Sequence, residues 1–129
     1  MGRVLRNLAN SAMKVLAAYR PEADRQRLLR MRHLKLTPHT KTDPDEIARE
    51  LDQVANEGLA YDIEEQDLGV CAVSAPVFGP GGEVRAVITV VAPAERFGLR
   101  ERKRRAEAVQ NAARQIGHSL GGGMPPRFD

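Results

Sequence analysis

Gly58–Pro93 reads GLAYDIEEQDLGVCAVSAPVFGPGGEVRAVITVVAP, and its reading decides the fold. Two apolar runs, Leu68–Phe78 and Glu83–Ala92, are rich in Val, Ile and Ala and are joined by Gly79-Pro80-Gly81-Gly82. β-branched runs bounded by turn residues predict a β-hairpin. Glycine-rich loops that cradle phosphates open a helix, whereas this one opens a strand, so Gly79–Gly82 is a hairpin turn. Leu59–Ile63 predicts a further short strand ahead of an acidic turn. Cys71, Ser74 and Thr89 place small polar groups among the apolar ones, as on a sheet face that lines a pocket for a small polar ligand.

Outward from the hairpin the pattern becomes helical. Leu8, Ala12, Val15, Leu16 and Tyr19 recur at helical spacing, with Asn10 or Ser11 as N-cap. Pro21-Glu22-Ala23 opens a second helix running to about Met31, with Ala23, Leu28, Leu29 and Met31 left to face a core. Asp43 (or Thr42) caps a third, with Pro44 at its first position, Glu46 completing a capping box, an Ile47–Leu51–Val54–Ala55 stripe and Gly58 as its stop. A long last helix spans about Leu99–Ser119, with a seam of Ala106, Val109, Ala113, Ile116 and Leu120 suited to packing on a sheet. The order predicts one α+β domain with helices packed on an antiparallel sheet. Residues 1–121 form the domain and 122–129 a flexible tail.

The 129 residues are 42% hydrophobic and 29% charged, as in a soluble globular domain. No apolar run approaches a membrane span, and the N-terminus lacks the apolar core and cleavage site of a signal peptide. The single cysteine fits a reducing cytoplasm. The net charge of +3 hides an asymmetry: residues 1–42 carry ten Lys/Arg against two acids, and residues 43–82 one Arg against ten acids. Blocks of opposite sign are expected to meet each other, so the basic pI is weak support for nucleic-acid binding. Arg100–Arg105 (RERKRR) sits where cations oppose the helix dipole, and the acidic 43–67 block is its expected partner. No helix pair has the tight turn of a helix-turn-helix. Asp62, Glu64, Glu65 and Asp67 read as a solvated turn, since they lack the His or glycine of a metal loop. A nucleophilic Cys71 would need a base, and His33, His39 and His118 lie in segments with no Cys–His signature. No enzyme is predicted, and no cofactor or metal.

Six stretches in order resemble the effector-binding domain of the IclR family of bacterial transcriptional regulators. Ala9–Leu16 followed by Tyr19-Arg20-Pro21 is similar to the family's A-T-A-x-G-K-A-L-L-A-x-x-P helix, and Leu36–Asp43 to its L-T-P-x-T-x-T-D link. Glu57–Asp62 with Glu64-Glu65 resembles R-G-Y-A-x-D-x-E-E, and Gly69–Phe78 resembles G-V-x-x-x-A-A-P-V-F. The second hairpin strand and the last helix follow in place. Met13 stands where the family pattern has glycine, and Leu59 where it has tyrosine.

The resemblance implies a GAF/profilin-like sensor domain whose sheet is incomplete at its N-terminal strands. It also implies a small-molecule effector, an organic or aromatic acid, lying between the sheet and the first helix. Carried onto this chain, the contacts are Ala12, Met13, Leu16, Asp62, Cys71, Ser74, Thr89 and Val91. Self-association to a dimer or tetramer is implied, with operator DNA bound by an N-terminal helix-turn-helix domain outside this chain. The alternative is an oligomerisation module that has lost ligand sensing.

Overall fold

The computed structural model describes residues 7–121. The predicted 122–129 tail lies outside them. Four helices, α1 (Ser11–Ala18), α2 (Glu22–Arg30), α3 (Pro44–Glu57) and α4 (Leu99–Ser119), accompany three strands, β1 (Ala60–Ile63), β2 (Val70–Phe78) and β3 (Val84–Pro93). The strands form an antiparallel sheet in the order β1-β2-β3.

Helix boundaries follow local chemistry. Asn10 caps α1, its Oδ1 accepting from the amides of Ala12 and Met13 at 2.9 and 3.2 Å. Asp43 caps α3 by accepting from the Asp45 amide. Gly58 ends α3 in the left-handed region (φ 71°), which a side chain would disfavour. The predicted second helix also forms, but only Leu28 and Leu29 are buried; Ala23 and Met31 stay exposed, because α2 touches α3 through a single narrow edge.

Side chains alternate between the two faces of the sheet, so the register assigns each residue to a layer. Ala60, Ser74 and Thr89 share one cross-strand row, and Asp62, Ala72 and Val91 the next, all on the face covered by α1. That face joins a core of Val15, Leu28, Leu29, Ile47, Leu51 and Val54 from the first three helices. On the opposite face Cys71, Val73, Ala75 and Val77 pack against Ala106, Val109 and Ala113 of α4.

Two helical seams differ from the sequence reading. In α1 the buried stripe is Ser11, Lys14, Val15 and Ala18, which leaves Ala12 and Leu16 half-buried. In α4 the seam turns after Ala113 to Gly117, while Ile116 and Leu120 are exposed. A Cβ on Gly117 would stand 3.3 Å from the Phe78 carbonyl oxygen, so the helix comes closest to the sheet where it has no side chain. The 93–98 loop contains a single 3-10 turn, Ala94–Arg96, which seats the buried Phe97 before α4.

Candidate functional site

The structure brings seven of the eight expected contacts to one side of the sheet. Ala12, Met13 and Leu16 come from α1, Asp62 from β1, Ser74 from β2, and Thr89 and Val91 from β3. Cys71 lies on the α4 face, and Ala72 occupies the place beside Asp62 and Val91. Burial raises the Cys71 thiol above its ordinary value, which disfavours a thiolate.

A chain of hydroxyls crosses the α1 face. Ser11 Oγ lies 2.7 Å from Ser74 Oγ, which lies 2.8 Å from Thr89 Oγ1. Ser74 has no exposed surface, whereas Thr89 is exposed on the edge strand. Three hydroxyls share two hydrogen bonds, so one donor is left over. If Ser11 donates to Ser74 and Ser74 to Thr89, the remaining hydrogen lies on Thr89 and faces outward. The Ala12 and Met13 amides of α1 offer no such donor, because Asn10 already takes them. Asn10 is itself fixed by donation from its Nδ2 to Gln66 Oε1 at 2.9 Å.

Asp62 and Glu65 overturn the expectation of a solvated acidic turn, being 5% and 2% exposed. The Asp62 carboxylate folds the turn, accepting from the Glu65 and Gln66 amides at 2.9 and 3.4 Å. Glu65 meets Lys14, a lysine with no exposed surface in the middle of α1. Lys14 Nζ donates to both Glu65 oxygens (2.9 and 2.8 Å), to Glu50 Oε2 (2.9 Å) and to the Tyr61 carbonyl (2.6 Å). Lys41 closes the group, 3.3 Å from Glu65 and 3.6 Å from Glu50. Burial pulls the Lys41 ammonium pKa down, but the two carboxylates outweigh it and the net shift is upward. The Leu36–Lys41 link completes the arrangement: Thr40 Oγ1 donates to the Glu65 carbonyl at 2.6 Å and accepts from the amides of Leu36 and Thr37.

The basic N-terminal block and the acidic block therefore do meet, through Lys14, Lys41 and the Arg25–Asp52 pair at 2.8 Å. The basic start of α4 does not take part, contrary to the sequence reading. Among the described residues its ion pair is the local Arg104–Glu101 contact at 3.2 Å. The reason is layering: α3 and α4 lie on opposite faces of the sheet. Among the described residues no group of three or more His, Cys, Asp or Glu is placed to hold a metal ion, and no helix is long and apolar enough to cross a membrane.

Burial raises the Asp62 carboxyl above its ordinary value. A raised carboxyl pKa means that protonation favours the folded state: its contribution is complete below the ordinary value and is lost as pH rises through the folded one. Asp62→Asn keeps an oxygen acceptor for both amides and removes the titration. The melting temperature of Asp62→Asn minus that of the parent is expected to be larger at pH 7 than at pH 4. A difference that grows on acidification would contradict the assignment.

An α+β sheet with α1 over one face and α4 over the other, and a polar row on the α1 face, has the build of a regulator's sensor domain. The chain matches the family model "Bacterial transcriptional regulator IclR C-terminal" over residues 1–118. It is 35% identical over 122 residues to the HTH-type transcriptional regulator BhcR of Paracoccus denitrificans, which covers 94% of this chain and 42% of that protein. It is 42% identical over 88 residues to the HTH-type transcriptional regulator Rv1719 of Mycobacterium tuberculosis, covering 68% of this chain and 34% of that protein. Among solved structures, the C-terminal domain of Escherichia coli KdgR superposes with a TM-score of 0.78 at 30% identity, over 88% of this chain and 71% of that one. A putative IclR regulator from Silicibacter sp. TM1040 gives 0.84 at 27% identity, over 94% of this chain and 48% of that one. The chain belongs to the IclR family and corresponds to its C-terminal, effector-binding domain. It spans less than half the length of these two curated relatives, which are transcriptional regulators and not enzymes.

The sequence reading missed Lys14, Glu50 and Ala72. A lysine flanked by Met13 and Val15, at the position between Ser11 and Ala18 on one helical face, was the available signal for the first. Ala72 required the strand register.

Proposed function

We propose that this chain senses a small organic acid on the α1 face of the sheet and, in a cytoplasmic regulator, relays its presence to a helix-turn-helix domain outside the chain. The observation that carries the reading is the Ser11–Ser74–Thr89 hydroxyl chain, rooted in the core and ending at an exposed hydroxyl, which donates outward when the chain runs from Ser11 to Thr89. A ligand carboxylate accepts from Thr89, while Ala12, Met13 and Val91 supply apolar surface beside it. Asp62 is kept from closer approach by its two amides and sets the far limit of the row. Binding between α1 and the sheet would bias their spacing, and so the arrangement of subunits that presents the DNA-binding domains.

Thermal denaturation against pyruvate, lactate, benzoate and related acids tests this. A compound at about one hundred times its Kd should stabilise the fold by about 2.7 kcal/mol. Thr89→Val should abolish that gain while changing the ligand-free melting temperature little, because Thr89 is exposed. If no acid raises the melting temperature, the sensing reading fails.

A second reading, assembly through the sheet edge, is favoured by β3. Among the described residues this ten-residue strand pairs on its β2 side only, and Val91 is 63% exposed. Long apolar edges are templates for strand pairing. Light scattering should then find a dimer or tetramer; a monomer at high concentration would contradict it.

A further inference from the structure

The start of α4 carries a dense excess of positive charge. Arg96, Arg100, Arg102, Lys103, Arg104 and Arg105 lie within ten residues, opposed locally by Glu95 and Glu101. Arg96, Arg100, Lys103 and Arg104 are exposed. Arg102 is folded inward, its guanidinium 5.6 Å from the centre of the Phe97 ring and its Nη2 3.5 Å from the Phe97 carbonyl. The buried Nε atoms of Arg102 and Arg105 have no hydrogen-bond partner. Of the acidic block, Glu50, Glu65 and Asp52 pair with Lys14, Lys41 and Arg25, and none of its carboxylates is ion-paired with the start of α4 among the described residues. The cluster also lies at the positive end of a 21-residue helix whose N-cap, Gly98, provides no side-chain acceptor. Repulsion between the cations adds to the unfavourable dipole, so the protein alone leaves this surface unsatisfied.

We infer that this surface binds the phosphate backbone of duplex DNA, as a contact separate from operator reading by a helix-turn-helix domain. The shape of the patch selects among polyanions. The apolar seam of α4 is already packed on the sheet, so the helix cannot lay an apolar face into a bilayer as interfacial helices do. A protein partner would want a buried apolar anchor, and beside the cations the patch offers Leu99 alone, 81% exposed. What remains is a rigid, arginine-rich, electrostatic surface, suited to phosphate oxygens spaced along a strand. Membership of a family of transcriptional regulators puts DNA within reach of it. This inference rests on that membership and not on the effector reading, so either can fail alone.

The contact should be weak and indifferent to sequence. With three or four phosphates engaged, affinity for a 20-base-pair duplex should fall about 40- to 150-fold between 50 and 200 mM salt. Arg100→Glu/Lys103→Glu places acids where the helix dipole favours them, so the variant should fold with an unreduced melting temperature. It should bind duplex at least about tenfold more weakly at 50 mM salt, with a log–log salt slope shallower by about two. Arg30→Glu/Arg32→Glu carries the same change in net charge at exposed positions on and just beyond α2, and should lose less than about threefold. Fluorescence anisotropy with a duplex of arbitrary sequence, poly-glutamate and phosphatidylserine vesicles supplies the readout. Equal losses in both variants, or no loss in either, would overturn the assignment. So would binding of poly-glutamate or vesicles as tight as binding of duplex.

Discussion

Lys14→Met is expected to lower the stability of the domain by about 3–5 kcal/mol. The ammonium is the hub on which Glu50, Glu65 and the Tyr61 carbonyl converge. Methionine fills the volume but leaves the buried Glu65 carboxylate with only the Ile63 amide, at 3.4 Å, and the partly exposed Lys41, at 3.3 Å. In a domain of this size the loss corresponds to a fall of roughly 10–20 °C in melting temperature. The pair is costly to break but not costly to replace. Lys14→Met/Glu65→Gln removes both charges and should recover much of the stability, because the largest penalty is the carboxylate stranded without its cation. A single variant as stable as the parent would show that water solvates the site and that the network holds nothing. A double variant no better than the single one would show that Lys14 acts by its shape.

Phe97→Ala is expected to cost about 3–5 kcal/mol, the usual range for deleting a buried aromatic ring. Phe97 belongs to the buried cluster that includes Cys71, Val73 and Ala106, and Arg102 lies over its ring. Its loss therefore empties the joint between the 3-10 turn and α4. Urea denaturation measures the cost. The same variant should spread the cationic start of α4 and weaken duplex binding, whereas the α1-side contacts at Ser74 and Thr89 stay in place. A loss below about 1 kcal/mol would mean that the joint collapses to fill the gap.

What could be read from the sequence divides by range. The stop at Gly58, the caps at Asn10 and Asp43, the hairpin turn at Gly79–Gly82 and the extent of α4 are each set by a few adjacent residues. Such signals survive without tertiary knowledge. The α+β class followed from their order. The buried charge network did not, because Lys14 meets partners 36 and 51 positions away and nothing local separates it from a solvated lysine. Proximity in sequence suggested the opposite for the acidic turn, where Asp62 and Glu65 are drawn inside by the Thr37–Thr40 link and by Lys14.

The candidate site was half legible. Ser74 and Thr89 stand opposite each other across the hairpin, but that pairing needed the strand register, which is shifted by an irregularity at Val77/Phe78 beside the turn. Cys71 is an odd number of residues from Ser74, and strand alternation alone sends it to the other face. In α4 the seam beyond Ala113 was misread since the pattern favoured Ile116 over Gly117. Close approach of a helix to a strand rewards the missing side chain, which hydrophobicity does not register.

Binding of a small organic acid on the α1 face of the sheet, through Thr89 and the hydroxyl chain behind it, is the proposal on which the sensing role depends. Amide NMR spectra of the whole chain, titrated with the acid that most raises the melting temperature, test it most directly. Saturable shifts are expected at Ala12, Met13, Asp62, Ser74 and Thr89, with Val73 and Val109 on the α4 side unmoved. Shifts confined to α4, or none at millimolar acid, would contradict it.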